Sequence, residues 1–249
     1  MEWGWFFIAA PRARIGTGLA VQTLRCFGAL MVYILPCLLV LVPVYFFTKI
    51  PSHVFRKLLH VVAFTGVSLM IAAAGSWEAA VLTSVLIAVV FYPVLSRLER
   101  ESWYAGLFVQ KSPGEIKKSL LLLFMTFAAV ITVAWGIFGE PRLAAAAILM
   151  WGIGDAAAAL VGIPFGRHKV RSPLTDGKKS WEGSLAMLAV SFPVGLAMLR
   201  VLGADMKTAL LSAAAGALVG TVTELISPSE YDTVTVPTAI TAVLLMICR

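Results

Sequence analysis

Apolar residues fill most of this chain in long runs, and short polar segments separate one run from the next. A helix that crosses the hydrocarbon core of a membrane needs about 20 consecutive apolar residues. About eight runs approach that length, and each predicts a transmembrane helix. They are Phe27–Phe47, Leu58–Ala74, Ala79–Leu95, Ser119–Phe138, Leu143–Gly162, Glu182–Val201, Ala209–Ile226 and Val234–Ile247. The pattern therefore predicts an all-α fold, a polytopic integral membrane helical bundle.

The composition agrees with a membrane protein and excludes the soluble classes. Of the 249 residues, 60% are hydrophobic and 13% are charged, and the mean hydropathy is +0.91. A soluble domain carries about 25% charged residues. The three cysteines form no CxxC pair, so we expect neither a disulfide framework nor a cysteine metal site.

The start of the chain has a different character and predicts an interfacial segment over residues 1–26. The stretch MEWGWFF carries two tryptophans, and tryptophan anchors at the membrane interface. The stretch PRARIGTGLAVQTLR has the pattern of a short amphipathic helix on the membrane surface. Its arginines follow the apolar run, whereas in a cleaved signal peptide they precede it. Residues 27–249 are then expected to form one transmembrane domain.

Basic residues concentrate on one side of the predicted bundle. When successive spans alternate in direction, most of the 20 lysines and arginines fall in the loops after spans one, three, five and seven. Positive charge marks the cytoplasmic side, so we expect these loops in the cytoplasm and both termini outside. No plastid or mitochondrial targeting pattern is evident, which favours a bacterial inner (plasma) membrane. The net charge of +7 also suits binding of anionic lipid or a polyphosphate, although topology alone is sufficient to explain it.

Acidic residues gather at the same predicted side, in or beside the last four spans. These residues are Asp155, Glu182, Glu224 and Asp232. A carboxylate in a membrane span costs about 2.5–3.5 kcal/mol on insertion scales, so its presence is by default a functional hypothesis. Magnesium binds one or two carboxylates together with substrate phosphates. Acids and bases on one face therefore predict a site for a phosphate compound with a divalent metal.

Asp155 also has a purely structural interpretation. Gly154, Ala158 and Gly162 recur every four residues and form a face of small residues that suits close helix packing. On such a helix, Asp155 can simply pair with a lysine or arginine of a neighbouring helix. Both interpretations of Asp155 stay open at the level of sequence.

The loop GRHKVRSPLTDGKKSWEGS predicts an anion site at the start of the sixth span. Ser180 is a plausible helix N-cap, and Glu182 would lie in the first turn. The helix N-terminus beside Lys178 and Lys179 would bind phosphate. The stretch is not a Walker A loop, since Ser172 stands where that motif needs glycine. The alternative is an ordinary capped helix after a basic loop.

The stretch RKLLH begins the second span and offers a second group of anion ligands. Arg56 and His60 are four residues apart and share a helix face. Arg56 can bind a phosphate through two parallel hydrogen bonds. His60 is a candidate proton acceptor or second anchor. The alternative is a set of interfacial side chains that keep their charges in water.

These stretches, in the order RKLLH, GDAAAALVGIPFGRHKV, GKKSWEGS and TELISPSEYDTVTVP, resemble the CTP-dependent polyprenol kinase family. That family includes dolichol kinases and phytol kinases and is related to the membrane phosphatidate cytidylyltransferases. The resemblance runs from about Pro51 to the C-terminus. It implies CTP as phosphate donor, Mg²⁺ as the divalent metal and a long-chain isoprenoid alcohol as acceptor. It also implies that residues 27–249 are a catalytic domain whose active site faces the cytoplasm.

The resemblance, together with the chemistry of the basic loop and of RKLLH, predicts roles for individual residues. Asp155 and Asp232 are expected to hold the metal, and Asp155, Glu224 and His60 are the expected catalytic groups. The expected nucleotide-binding residues are Arg56, Lys57, Arg167, Lys178, Lys179, Ser180, Glu182 and Gly183. The family usually has Asp-Asn before its final motif, whereas this chain has Asp232-Thr233. This departure affects a metal or nucleotide contact and the choice of substrate.

Other functions remain as alternatives to the polyprenol kinase. A phosphatidate cytidylyltransferase would typically end in a Lys-Arg pair, a Lys-Asp pair and Asp-Arg-x-Asp, which this C-terminal region lacks. A CTP-dependent diacylglycerol kinase would share the donor and differ in the lipid. A non-enzymatic transporter would not explain why the acids gather at one surface. The expected partners are CTP, a lipid alcohol and the bilayer, with no nucleic acid and an open oligomeric state.

Overall fold

A computed structural model describes residues 18–48, 50–101, 104, 114–170, 177–228 and 231–248. In these ranges the chain forms eight α-helices. They are α1 (Leu19–Thr48), α2 (Ser52–Ala73), α3 (Trp77–Leu98), α4 (Glu115–Ile131), α5 (Pro141–Phe165), α6 (Trp181–Val201), α7 (Met206–Ile226) and α8 (Asp232–Cys248). A π-helical segment, Thr132–Ile137, continues α4. Seven of these helical segments are long and apolar enough to cross a membrane, and α8 is a shorter apolar helix. The predicted polytopic helical bundle is confirmed.

The first helix begins earlier than the sequence pattern predicted. It starts at Leu19 instead of Phe27, because the residues between them include neither glycine nor proline to end a helix. This part of the predicted surface segment is therefore continuous with α1. Thr23 is buried there, and its carbonyl accepts a hydrogen bond from Thr83 Oγ1 at 3.2 Å. The rest of the interfacial prediction, residues 1–17, lies outside the described residues.

The central helix of the bundle is α5, which packs against α2, α6 and α8. Its residues Ala144, Ala145, Ala146 and Ala147 are all buried, and their small side chains let neighbouring helices approach closely. The remaining helices surround this centre: α7 joins α6 to α8, α4 packs on α3, and α1 lies outside α2 and α3. The core thus forms around an alanine-rich helix.

Charged side chains meet at one end of the bundle, where α2, α4, α6 and α8 begin; we call it the charged end. Successive helices reverse direction, so α1, α3, α5 and α7 finish at this same end. Ion pairs between different helices confirm the arrangement: Lys57 of α2 contacts Asp155 of α5, and Arg56 of α2 contacts Glu115 of α4. The predicted gathering of acids and bases at one end is therefore observed.

Candidate active site

A cavity of about 760 Å³ extends from the charged end into the bundle. Such a volume is typical of small-molecule sites. The outer part, which we call the charged head, is lined by Arg56, Lys57, His60, Glu115, Asp155, Lys178, Lys179, Glu224 and Asp232. The inner part, the apolar chamber, is lined chiefly by Ile34, Leu38, Phe64, Ile87, Phe91, Leu95, Leu120, Phe124 and Trp151. The cavity therefore joins a polar and an apolar compartment.

The first ion pair of the charged head joins α2 to α5. Lys57 Nζ lies 2.6 Å from Asp155 Oδ2, and both side chains are mostly buried. The pair explains how a carboxylate is tolerated inside an apolar helix, because an opposite charge offsets its loss of hydration. The interpretation in which Asp155 pairs with a cation of a neighbouring helix is confirmed. It leaves the metal role of Asp155 a prediction.

The second group of charges joins the start of α6 to α7 and α8. Lys179 Nζ lies 3.0 Å from Glu224 Oε1 and 3.3 Å from Asp232 Oδ2, and it also donates to the Glu224 carbonyl. The Lys179 side chain is only 6% exposed. A lysine held by these acceptors fixes the relative positions of three helix ends. Lys179 is therefore a structural cation as well as a predicted phosphate ligand.

Three acids of the charged head share the two lysines Lys57 and Lys179 as ion-pair partners. Asp155, Glu224 and Asp232 all line it and are close enough to interact electrostatically. No three His, Cys, Asp or Glu side chains among the described residues form a group that could hold a metal alone. Magnesium, however, takes only one or two carboxylates and completes its shell with phosphates and water. The carboxylates of the charged head therefore fit a magnesium ion that binds together with a phosphate compound.

The start of α6 is built as the sequence predicted. Ser180 is its N-cap, and its hydroxyl accepts a hydrogen bond from the Gly183 N–H at 3.2 Å. A Cβ at Gly183 would lie 2.8 Å from the Ala158 carbonyl and 3.2 Å from Gly162 Cα. The bare glycines thus let α6 begin directly against α5. Both Ser180 and Gly183 line the cavity.

Glu182 and Arg167 lie away from the cavity lining. The Glu182 carboxylate accepts hydrogen bonds from the backbone N–H groups of Arg167 and His168, at 3.2 and 3.1 Å. His168 Nδ1 lies 2.6 Å from the same carboxylate. An isolated antiparallel bridge joins Lys169 to Ser180. Glu182 therefore holds the segment after α5 against the start of α6. The predicted nucleotide contacts of Glu182 and Arg167 stay predictions.

His60 marks the boundary between the two compartments of the cavity. It lies one turn beyond Lys57 on α2, and its ring centroid is 6.2 Å from that of Phe64. Near the start of the same helix, Arg56 lies 3.8 Å from Glu115 of α4. Apart from Glu182, the predicted residues of α2 and those of α5 to α8 therefore line one cavity.

Sequence reasoning missed Tyr104 and Glu115, which also line the cavity. Tyr104 falls in the connection between α3 and α4, and Glu115 is the first residue of α4; polar residues are ordinary at such positions and give no signal. Tyr104 is buried. Loss of hydration raises the pKa of its hydroxyl to about 12, and the nearby Glu99 carboxylate makes a smaller contribution in the same direction. Tyr104 is therefore a neutral phenol at physiological pH. Thr233, the departure from the family pattern, lines the cavity and donates to Asp232 Oδ1 at 3.4 Å.

Comparison with known proteins places this chain in a family. The chain is 33% identical over 197 residues to the phytol kinase of Synechocystis sp., and the alignment covers 75% of this chain and 76% of that protein. No family model matches the chain. No solved structure matches it either. Identity of this level across three-quarters of both proteins shows common descent, and the chain belongs to the phytol kinase-like family of polyprenol kinases.

Proposed function

We propose that this protein is a membrane lipid kinase that transfers the γ-phosphate of CTP to a long-chain isoprenoid alcohol. The observation that carries the proposal is the joining of the charged head to the apolar chamber at His60. An isoprenoid alcohol has one hydroxyl on an otherwise apolar tail. With its tail in the chamber, its hydroxyl lies beside the charges that would hold a phosphate. The phytol kinase of Synechocystis sp. supports this class of acceptor.

The α6 N-terminus and the lysines of the charged head are suited to a triphosphate. Lys178 and the capped helix start at Ser180 line the cavity, and helix N-termini bind anions. An ammonium group has three N–H donors. Lys57 can therefore bind a phosphate oxygen while it remains paired with Asp155. Arg56 supplies a further cation from α2. Phosphoryl transfer depends on this kind of charge neutralisation and positioning.

Two carboxylates are the proposed metal ligands, and His60 is the best-placed proton acceptor. Asp155 and Asp232 would hold Mg²⁺, which supplies positive charge to the phosphoryl group being transferred. Glu224 is less suited to proton transfer, because Lys179 and Ser184 already contact its carboxylate. His60 lies where the head meets the chamber, and there it would take the proton of the lipid hydroxyl.

The direct test incubates the purified protein in lipid vesicles with γ-³²P-CTP, Mg²⁺ and a panel of lipids. The panel contains phytol, geranylgeraniol, undecaprenol, dolichol, diacylglycerol and phosphatidate. Label in an organic-phase product of a prenol, with release of CDP, is the expected result. Label transferred only to diacylglycerol would show that the acceptor is a diacylglycerol and not an isoprenoid alcohol. Label recovered only as pyrophosphate, in the presence of phosphatidate, would make the protein a cytidylyltransferase and overturn the proposal.

A further inference from the structure

The apolar chamber ends at a layer of aromatic rings, which we call the aromatic floor: Phe64, Phe124, Phe127 and Trp151. The Phe64 ring packs edge-to-face against Trp151 at 4.5 Å between centroids and against Phe127 at 5.0 Å. Phe127 in turn packs edge-to-face against Phe124 at 5.4 Å. Phe64, Phe124 and Trp151 face the chamber, and the fully buried Phe127 lies behind them. Three helices thus contribute rings to one barrier.

Close packing holds the aromatic floor in place. All four residues are at most 4% exposed. Phe64 packs directly on the α5 backbone at Gly152, and any side chain at Gly152 would overlap its ring. Interlocked edge-to-face rings in a close-packed interior have little room to turn aside. A lipid tail longer than the chamber would therefore meet a fixed obstacle.

The walls of the chamber indicate how deep it is. On α3, the lining residues run from Leu98 at the charged end to Ile87. Eleven residues of α-helix rise about 16 Å. The hydrocarbon core of a bilayer is about 30 Å thick, so this depth reaches roughly its midplane. The chamber therefore has room for a short isoprenoid tail and ends well before the far side of the membrane.

We propose that the aromatic floor sets the greatest tail length of the alcohol that this enzyme phosphorylates. Tails of the size of phytol and geranylgeraniol fit above the floor when they are bent and not fully extended, whereas those of undecaprenol and dolichol do not fit. The inference rests on the proposed function, since it requires the alcohol tail to occupy the chamber. Phe124 is the residue to test, because its ring lines the chamber and packs edge-to-face against one ring of the floor, Phe127. Phe64 and Trp151 each pack against two other rings of the floor.

The experiment compares kcat/KM for farnesol, geranylgeraniol and undecaprenol in mixed micelles, for the wild type and three variants. Phe124→Ala removes a ring from the floor and should raise the undecaprenol-to-geranylgeraniol ratio of kcat/KM by at least about tenfold, since each buried methylene adds binding energy. Met125→Ala is the matched control, because Met125 is the next residue of α4 and is 47% exposed. It should leave the ratio at the wild-type value.

A second variant, which narrows the chamber instead of widening it, keeps the inference testable if Phe124→Ala fails to fold. Leu120 lines the chamber one turn nearer the charged end, and Leu120→Trp narrows the chamber. It should lower the geranylgeraniol-to-farnesol ratio by at least about fivefold, because extra volume in a packed site is not accommodated freely.

The outcomes separate the inference from the proposed function. Shifts of the two ratios in opposite directions support the floor as a length limit. A wild type that uses undecaprenol as well as geranylgeraniol, or two variants with wild-type ratios, overturns the inference and leaves the lipid kinase standing. A wild type that phosphorylates none of the alcohols in the presence of CTP and Mg²⁺ overturns the proposed function, and the inference with it.

Discussion

At the scale of single residues, Asp155 shows how a membrane helix can keep a carboxylate. Its partner Lys57 is 2.6 Å away on a different helix, and the pair lies in the wall of the cavity. A buried charge that loses its partner destabilises a protein far more than the pair stabilises it. Under the proposed function, stability and catalysis depend on the same two side chains, so a single substitution should change both.

A double substitution separates the two effects. Asp155→Asn alone should lower phosphoryl transfer at least ~100-fold, as expected when a charge-stabilising group is removed from an active site. It should also reduce the free energy of unfolding by ~1–3 kcal/mol, because Lys57 loses its partner. The double variant Lys57→Met, Asp155→Asn should recover the melting temperature in detergent without recovering activity. Near-normal turnover in Asp155→Asn would refute the metal role of that carboxylate.

The adjacent residues Lys178 and Lys179 are expected to differ in function. Lys178 is exposed and Lys179 is buried between Glu224 and Asp232. Lys178→Ala should raise the KM for CTP several-fold and leave the melting temperature unchanged. Lys179→Ala should lower the melting temperature markedly, because two carboxylates are left without their cation. Thermal unfolding and CTP titration of both variants provide the comparison, and equal melting temperatures would contradict the assignment.

At the scale of elements, the contact between α5 and α6 positions the charged head. Gly162 and Gly183 bring the two helices together, and Ser180 caps α6 at the same place. The sequence was sufficient to predict the cap, because the preference of serine for this position is a local property. It was not sufficient to predict that Lys179 lies between two carboxylates. That contact depends on how α6, α7 and α8 pack, and no local pattern encodes it.

Gly183→Ala tests the close contact between α5 and α6. The added Cβ would lie 2.8 Å from the Ala158 carbonyl, so the two helices must separate. We expect a lower melting temperature and at least a ~10-fold loss of transfer, since small displacements of an active site reduce rates strongly. Gly28→Ala on α1 is the matched control, because nothing lies within 4 Å of the position of its Cβ. A Gly183→Ala protein with the stability and activity of the control would refute this role of the contact.

At the scale of the whole molecule, the alternating direction of the described helices places the charged end on one side of the membrane. The apolar runs predicted the number of helices well, because each crossing needs a run of similar length. The alternation of loops also predicted that the acids would meet at one end. The apolar chamber could not be predicted from the sequence, since apolar residues that face a cavity and those that face lipid have the same pattern along the chain. Only the packing of α1 to α5 shows that residues such as Ile87 and Phe124 line the cavity.

The orientation of the charged end is tested by labelling single cysteines in intact cells. Arg100 lies at the charged end and Lys207 at the opposite end, and both are exposed. In a background without Cys26, Cys37 and Cys248, a membrane-impermeant maleimide should label Lys207→Cys and not Arg100→Cys. Labelling of Arg100→Cys alone would place the charged end outside the cell, away from cytoplasmic CTP.

The most direct measurement of the central claim is the stoichiometry of the products formed from CTP and phytol. Purified protein in vesicles would be supplied with both substrates and Mg²⁺, and the products would be quantified by ³¹P NMR and mass spectrometry. The account predicts CDP and phytyl monophosphate in equal amounts, with both formed at least ~100-fold more slowly by the Asp155→Asn variant. Pyrophosphate together with a cytidylyl lipid, or CDP without a phosphorylated alcohol, would contradict it.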